Sequence, residues 1–96
     1  MEISVKDIAG GADTATQGEV VLKALKLELS RGKNVVVTFD KITTATSSFT
    51  NAAFVPLLSD FSFEEIRKSV RIVHSTRQIN EMIKTRLQRT SGKSAA

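Results

Sequence analysis

The chain predicts an α/β domain with a mainly parallel or mixed sheet and packed helices, on three observations. Val35-Val36-Val37 is apolar on both alternating faces, the pattern of a central strand covered on both sides. Val21, Leu22, Leu25 and Leu29, and later Ile79, Met82, Ile83 and Leu87, recur at the spacings of a helix face. Strand-like and helix-like stretches alternate along the chain, an order that parallel strands joined by right-handed crossovers satisfy.

The elements follow in sequence. Ile3, Val5 and Asp7 alternate with Ser4 and Lys6, predicting a short first strand that ends at Gly10-Gly11. Thr16-Gln17-Gly18-Glu19 has the form of a capping box, so the first helix is expected over roughly 17 to 31, with Gly32 as its stop. The central strand spans 34 to 40. After it, Ser47-Ser48 opens a helix in which Phe49, Ala52, Ala53 and Leu57 recur, and Pro56 is expected to kink or end it, because proline removes a backbone donor. Ser62 and Glu65 form another capping box, with Phe61 and Ile66 as a hydrophobic staple, and predict a short helix to about Lys68. Val70, Ile72 and His74 alternate as a third strand, Ser75-Thr76-Arg77-Gln78 caps the next helix in the Ser-x-x-Gln form, and the Ile79 to Leu87 stripe follows. One domain over residues 1–89 and a disordered tail over 90–96 result, since the tail has no apolar residue larger than alanine.

Composition narrows the function classes. With 41% apolar and 25% charged residues the chain can bury a core, which excludes a wholly disordered protein. The absence of cysteine excludes disulfides, thiolate metal sites and a cysteine nucleophile, and one histidine leaves no metal-ligand cluster. No run is apolar for long enough to span a membrane and no signal-like block opens the chain, so a cytoplasmic location is expected. The net charge of +4 is unevenly placed: six basic against nine acidic residues through Ile66 give −3, and eight basic residues against Glu81 alone give +7 from Arg67 onward. Arg77, Lys84, Arg86 and Arg89 surround the last helical stripe, so a nucleic-acid-binding α/β protein is the second functional hypothesis, although no aromatic residue interleaves for base stacking.

The densest chemistry follows the central strand. Asp40, Thr43, Thr44, Thr46, Ser47 and Ser48 map to the carboxyl end of the sheet, where α/β proteins place ligands. Two readings stand there: Thr46 or Ser47 caps the helix while the other hydroxyls satisfy loop backbone, or the cluster contacts a ligand, a partner or a phosphate. Asp40, Ser47 and His74 contain the residue types of a hydrolase triad, but no Gly-x-Ser-x-Gly elbow is present. Gly10-Gly11 lacks the rest of a dinucleotide or Walker loop, and Gly92-Lys93-Ser94 has no strand before it.

Phe39-Asp40 followed by Thr46-Ser47-Ser48-Phe49 and Asn51 resembles the STAS-like domains, small relatives of the anti-sigma factor antagonists, and the likeness covers about residues 17 to 88. The resemblance implies a small STAS-like domain, non-enzymatic and without cofactor, acting in a bacterial regulatory partner switch. It aligns Ser47 with the phosphoacceptor and makes Asp40, Thr43, Thr44, Thr46, Ser48, Phe49 and Asn51 the partner-binding or supporting residues. The implied partner is an ATPase or serine kinase of histidine-kinase-like fold. Where the antagonists carry aspartate and glycine around the serine pair, this chain carries Thr46 and Phe49, as the STAS-like branch does. Such domains usually begin with more strand than precedes Gly10, and Ala12 to Thr16 or a second subunit, as in a homodimer, is expected to supply the missing pairing.

Overall fold

The computed structural model describes residues 2–95, with side chains described through Thr90. Its elements are β1 (Glu2–Ser4), α1 (Val5–Ala9), α2 (Ala15–Ser30), β2 (Val35–Thr38), α3 (Ser47–Ala53), a 3-10 helix (Val55–Ser59), α4 (Phe63–Ser69), β3 (Val70–Val73) and α5 (Arg77–Ala95). The strands form one sheet in the order β1-β2-β3, and both pairings are parallel. Ile3 pairs with Val37 on one side, and Val37 with Ile72 on the other. The predicted α/β class with packed helices is the observed one, and of the expected mainly parallel or mixed sheet the parallel form is found. Of the expected tail 90–96, Thr90 lies in α5, the side chains of 91–95 are outside the described residues, and residue 96 is outside them altogether.

The expected first strand is shorter than its alternation suggests. β1 stops at Ser4, whose side chain accepts a hydrogen bond from Asp7 N–H at 3.2 Å and so caps α1. A local cap replaces the ladder bonds that Val5 to Asp7 would otherwise have made, and Gly10 at φ 81 ends the helix. The second cap also differs from the sequence pattern. α2 starts two residues before the predicted start, on Thr14 with Gln17: Gln17 N–H donates to Thr14 Oγ1, and Gln17 Oε1 accepts from both Thr14 N–H and Asp13 N–H. Because that side chain serves two backbone donors, the box closes there and not at Thr16 and Glu19. Residues 12 to 14 therefore form no strand, and 15 and 16 are helical, so Ala12 to Thr16 supplies no sheet pairing.

The helical layer covers one face of the sheet. Ile3, Val35 and Val37 point into it and are buried, whereas the opposite face carries exposed Glu2 and Arg71, half-buried Val36 and Val73, and Thr38, which is buried at the end of the strand. The expectation that β2 is covered on both sides is thus corrected. Three consecutive valines tolerate this because Val36, flanked by β1 and β3, is shielded laterally even without a second layer. The core combines Val21, Leu25 and Leu29 of α2, Phe49 and Ala53 of α3, Ile66 of α4, and Ile79, Ile83 and Leu87 of α5. Pro56 acts as expected: α3 ends at Ala53, and the proline sits at the start of the 3-10 helix, where its missing N–H is not needed.

α2 and α3 meet at Gly18. A Cβ there would lie 2.5 Å from the Phe49 carbonyl oxygen and 2.8 Å from Ala52 Cβ, distances below any real contact. The backbones of the two helices are that close because position 18 has no side chain. Gly18→Ala is expected to lower the unfolding free energy by about 1–3 kcal/mol through overpacking, despite the roughly 1 kcal/mol that alanine adds to helix propensity. Urea denaturation checks this, and an unchanged or higher midpoint would contradict the close approach.

Candidate functional site

The segment from Phe39 to Asn51 is built by a tight turn, a clamped loop and a capped helix. Ile42 N–H donates to the Phe39 carbonyl at 2.9 Å, and Lys41 inside this turn has φ 69, a left-handed conformation unusual for a residue with a Cβ. Ile42 and Ala45 turn inward and are buried, which leaves Thr43 and Thr44 exposed between them. α5 holds the loop from one side. Gln78 accepts from Ala45 N–H and donates to the Ala45 carbonyl, both at 3.3 Å, so its amide closes a two-bond clamp on a residue 33 positions away. Thr76 Oγ1 adds a 3.4 Å bond to the Thr43 carbonyl.

From the other side the loop is tied to the residues before α2. Thr46 N–H donates to the Ala12 carbonyl at 3.0 Å, and Thr46 Oγ1 donates to the Asp13 carbonyl at 2.9 Å. The same hydroxyl accepts from Phe49 N–H at 3.2 Å, which makes Thr46 the N-cap of α3. Ser47 is the first helical residue. Ser47 and Ser48 are exposed, and neither hydroxyl has a hydrogen-bond partner among the described residues. α3 divides cleanly: Phe49, Thr50 and Ala53 are buried, while Ser47, Ser48 and Asn51 face outward. Phe49 meets Phe39 edge to face with ring centroids 6.3 Å apart, so it supports the site from the core and presents no surface. Thr50 Oγ1 turns back to the Thr46 carbonyl at 3.0 Å.

The predicted cluster separates into two places. Asp40 lines a shallow polar pocket of about 290 Å³ with Ser4, Asp7, Thr38, Lys41 and His74, where the carboxyl ends of all three strands converge. Lys41 and His74, at φ 69 and φ 50, are the two non-glycine residues with positive φ among the described residues, and both border this pocket. Ser47 is not among its lining residues, so the structure joins Asp40 to His74 but does not bring Ser47 to them. Asn51 lines a different depression, with Val55, Arg86, Arg89 and Thr90. Among the described residues no group of three His, Cys, Asp or Glu side chains could hold a metal, and no helix is long and apolar enough to cross a membrane.

Several contributors were not signalled by sequence. Gln78 reads as part of a Ser-x-x-Gln cap, yet the cap of α5 is Thr76, which accepts from Ile79 N–H at 3.2 Å, and Gln78 is thereby free for Ala45. Ser4 and Asp7 read as strand residues and are instead at the α1 cap beside the polar pocket.

A family described as a STAS-like domain of unknown function matches residues 17–80. The chain belongs to this family. STAS-like membership supports, as a broad class, a regulatory or protein-interaction module. The matched span takes in α2 through the start of α5, and therefore the whole hydroxyl loop with the clamps on its α5 side. No curated protein and no solved structure gives a significant match.

The division of labour between Thr46 and Ser47 is testable. Thr46→Ala removes both the cap and the bond to Asp13, and is expected to lower stability by about 1–2 kcal/mol, whereas Ser47→Ala should stay within about 0.5 kcal/mol of wild type. Thermal and urea unfolding of the two variants decide it; equal losses would contradict the assignment of the cap to Thr46. Gln78→Ala is expected to cost about 1 kcal/mol and to speed hydrogen exchange at the Ala45 amide more than at Val37. Unchanged exchange at Ala45 would show the clamp to be dispensable.

Proposed function

We propose that this STAS-like domain is a non-enzymatic partner-switch module whose contact surface is the Thr43 to Asn51 segment with the outer face of α3. In this reading Ser47 is the phosphoacceptor, and the partner is an ATPase or serine kinase of histidine-kinase-like fold. The observation that carries it is the separation of duties at the helix start. Thr46 makes the cap and the inter-segment bonds, and Ser47 beside it is exposed with an unengaged hydroxyl. Adding a phosphate to Ser47 brings about −1.5 to −2 charges to the surface without breaking a hydrogen bond of the fold. Thr43, Thr44 and Ser48 supply further exposed hydroxyls around it, Asn51 continues the face along α3, and Phe49 holds the face rigid from beneath. Asp40 belongs to the turn that launches the loop, and its role is positional.

The basic C-terminal third fits the same surface. Arg86 and Arg89 adjoin Asn51 in one depression, so the positive charge extends the α3 face toward a partner with an acidic surface, and phosphorylation of Ser47 would place negative charge at its other, uncharged end. These arginines also sustain nucleic-acid binding as the second reading. A gel shift that weakens steeply with salt would favour it, and no binding at low salt would remove it.

Recovery of the protein from its native cells followed by fragment mass spectrometry is expected to find phosphate on Ser47. Phosphate elsewhere in this loop, or none under any growth condition, would overturn the switch. Ser47→Ala and Ser47→Glu are both expected to fold as wild type does and to differ at least tenfold in recovery of the same native partner; equal recovery would argue for a binding domain without a switch.

A further inference from the structure

We infer that the free edge of β3 is a second docking surface, which takes an extended acidic segment of a partner protein as a fourth strand of the sheet. Three observations converge there. The first is the edge itself. Val73 C=O accepts from Phe39 N–H at 3.0 Å, so Val73 and, by the two-residue period, Arg71 spend their backbone groups on β2. Ile72 between them directs its N–H and C=O away from the sheet, and no hydrogen bond within the described residues engages either. Such a pair is a template for another strand.

The second observation is an apolar pocket beside that edge. Phe63, Ile66, Val70, Ile72, Ile83 and Leu87 line an opening of about 200 Å³ between α4, β3 and α5. It lies on the side of the sheet into which Ile72 points, so alternate residues of an added strand would direct one or two apolar side chains into it. The third observation chooses the occupant. Exposed Arg67 and Lys84 stand on the rim with uncharged Asn80 and Gln88, and among the described residues no carboxylate lines the pocket. A segment that turns an apolar residue into the pocket and carries Asp or Glu two positions to either side, on the same strand face, matches both the walls and the rim. A second copy of this chain does not: pairing β3 with its own equivalent would bring two sets of Arg67 and Lys84 together, within a C-terminal third that already carries +7. A bound helix would fill the pocket but leave Ile72 N–H and C=O without partners. This surface is separate from the α3 face, and its occupancy does not depend on Ser47.

Selection of a random dodecapeptide phage library on the immobilised protein tests the inference. Peptides in which Val, Ile, Leu or Phe is followed or preceded at two-residue spacing by Asp or Glu are expected to be enriched. The synthetic peptide of best fit should bind in the micromolar range and weaken about tenfold or more when its central residues are N-methylated, since methylation removes strand donors. The double variant Arg67→Gln, Lys84→Gln should weaken it about fivefold to tenfold, with an unchanged circular dichroism melt. Should that variant unfold, the N-methylated peptide on the wild-type protein carries the test alone. Enrichment of basic peptides or of peptides without this two-residue spacing, no enrichment, or indifference to N-methylation would overturn the proposal. So would a dimer in sedimentation velocity at tens of micromolar that Ile72→Lys converts to monomer, because a second copy would then occupy the edge.

Discussion

The close approach of α2 to α3 at Gly18 is the constraint on which the rest of the site depends. With no side chain at that position, the Phe49 carbonyl and Ala52 of α3 come within reach of the α2 backbone. This seats Phe49 against Phe39 and Ala53 in the core, so α3 is docked through backbone proximity as much as through side-chain burial. Once α3 is docked, its first turn is placed beside residues 12 and 13, and Thr46 bonds to both carbonyls there. The outward residues Ser47, Ser48 and Asn51 are the remainder: they are exposed because the other positions of a seven-residue helix are taken by the core.

A loop that ends in so anchored a helix is itself anchored. Gln78 and Thr76 bond to the loop backbone from α5, and buried Ile42 and Ala45 pin it from below. Thr43 and Thr44 are therefore presented on a fixed backbone, which lowers the ordering entropy of any contact made through them. The polar pocket under Asp40 is a different environment, with left-handed Lys41 and His74 at its border and no serine of the α3 start in its lining. That separation weighs against hydrolytic chemistry built on Asp40, Ser47 and His74 together.

The sheet gives the domain its unequal surfaces. Three parallel strands with helices on one face leave Glu2, Val36 and Arg71 on the other, and leave both outer strands with an open edge. Parallel sheets are usually covered on both faces. In this one the uncovered face is small and part polar, whereas the β3 edge adjoins an apolar pocket with a basic rim. The α3 face and the β3 edge thus differ in kind, one a display of hydroxyls and the other a template of backbone groups.

What the sequence by itself determined was local: the α/β order, the helix faces of α2 and α5, the Ser62–Glu65 capping box, the effect of Pro56, and the hydroxyl cluster at the end of the central strand. These follow from periodicity, capping and backbone chemistry, which act over a few residues and are written in neighbouring positions. Alternation at Ile3 to Asp7 misled because a strand edge and a Ser4 cap share one short pattern, and Thr16 to Glu19 misled because Gln17, serving two donors with Thr14, made the better box. Tertiary structure alone decided that Thr46 bonds to the Ala12 and Asp13 carbonyls, that Gln78 holds Ala45, and that Ile72 faces outward at an open edge. Each of these joins residues far apart in the chain or depends on which strand is outermost, and that information is carried by packing, through a glycine that lets two helices touch.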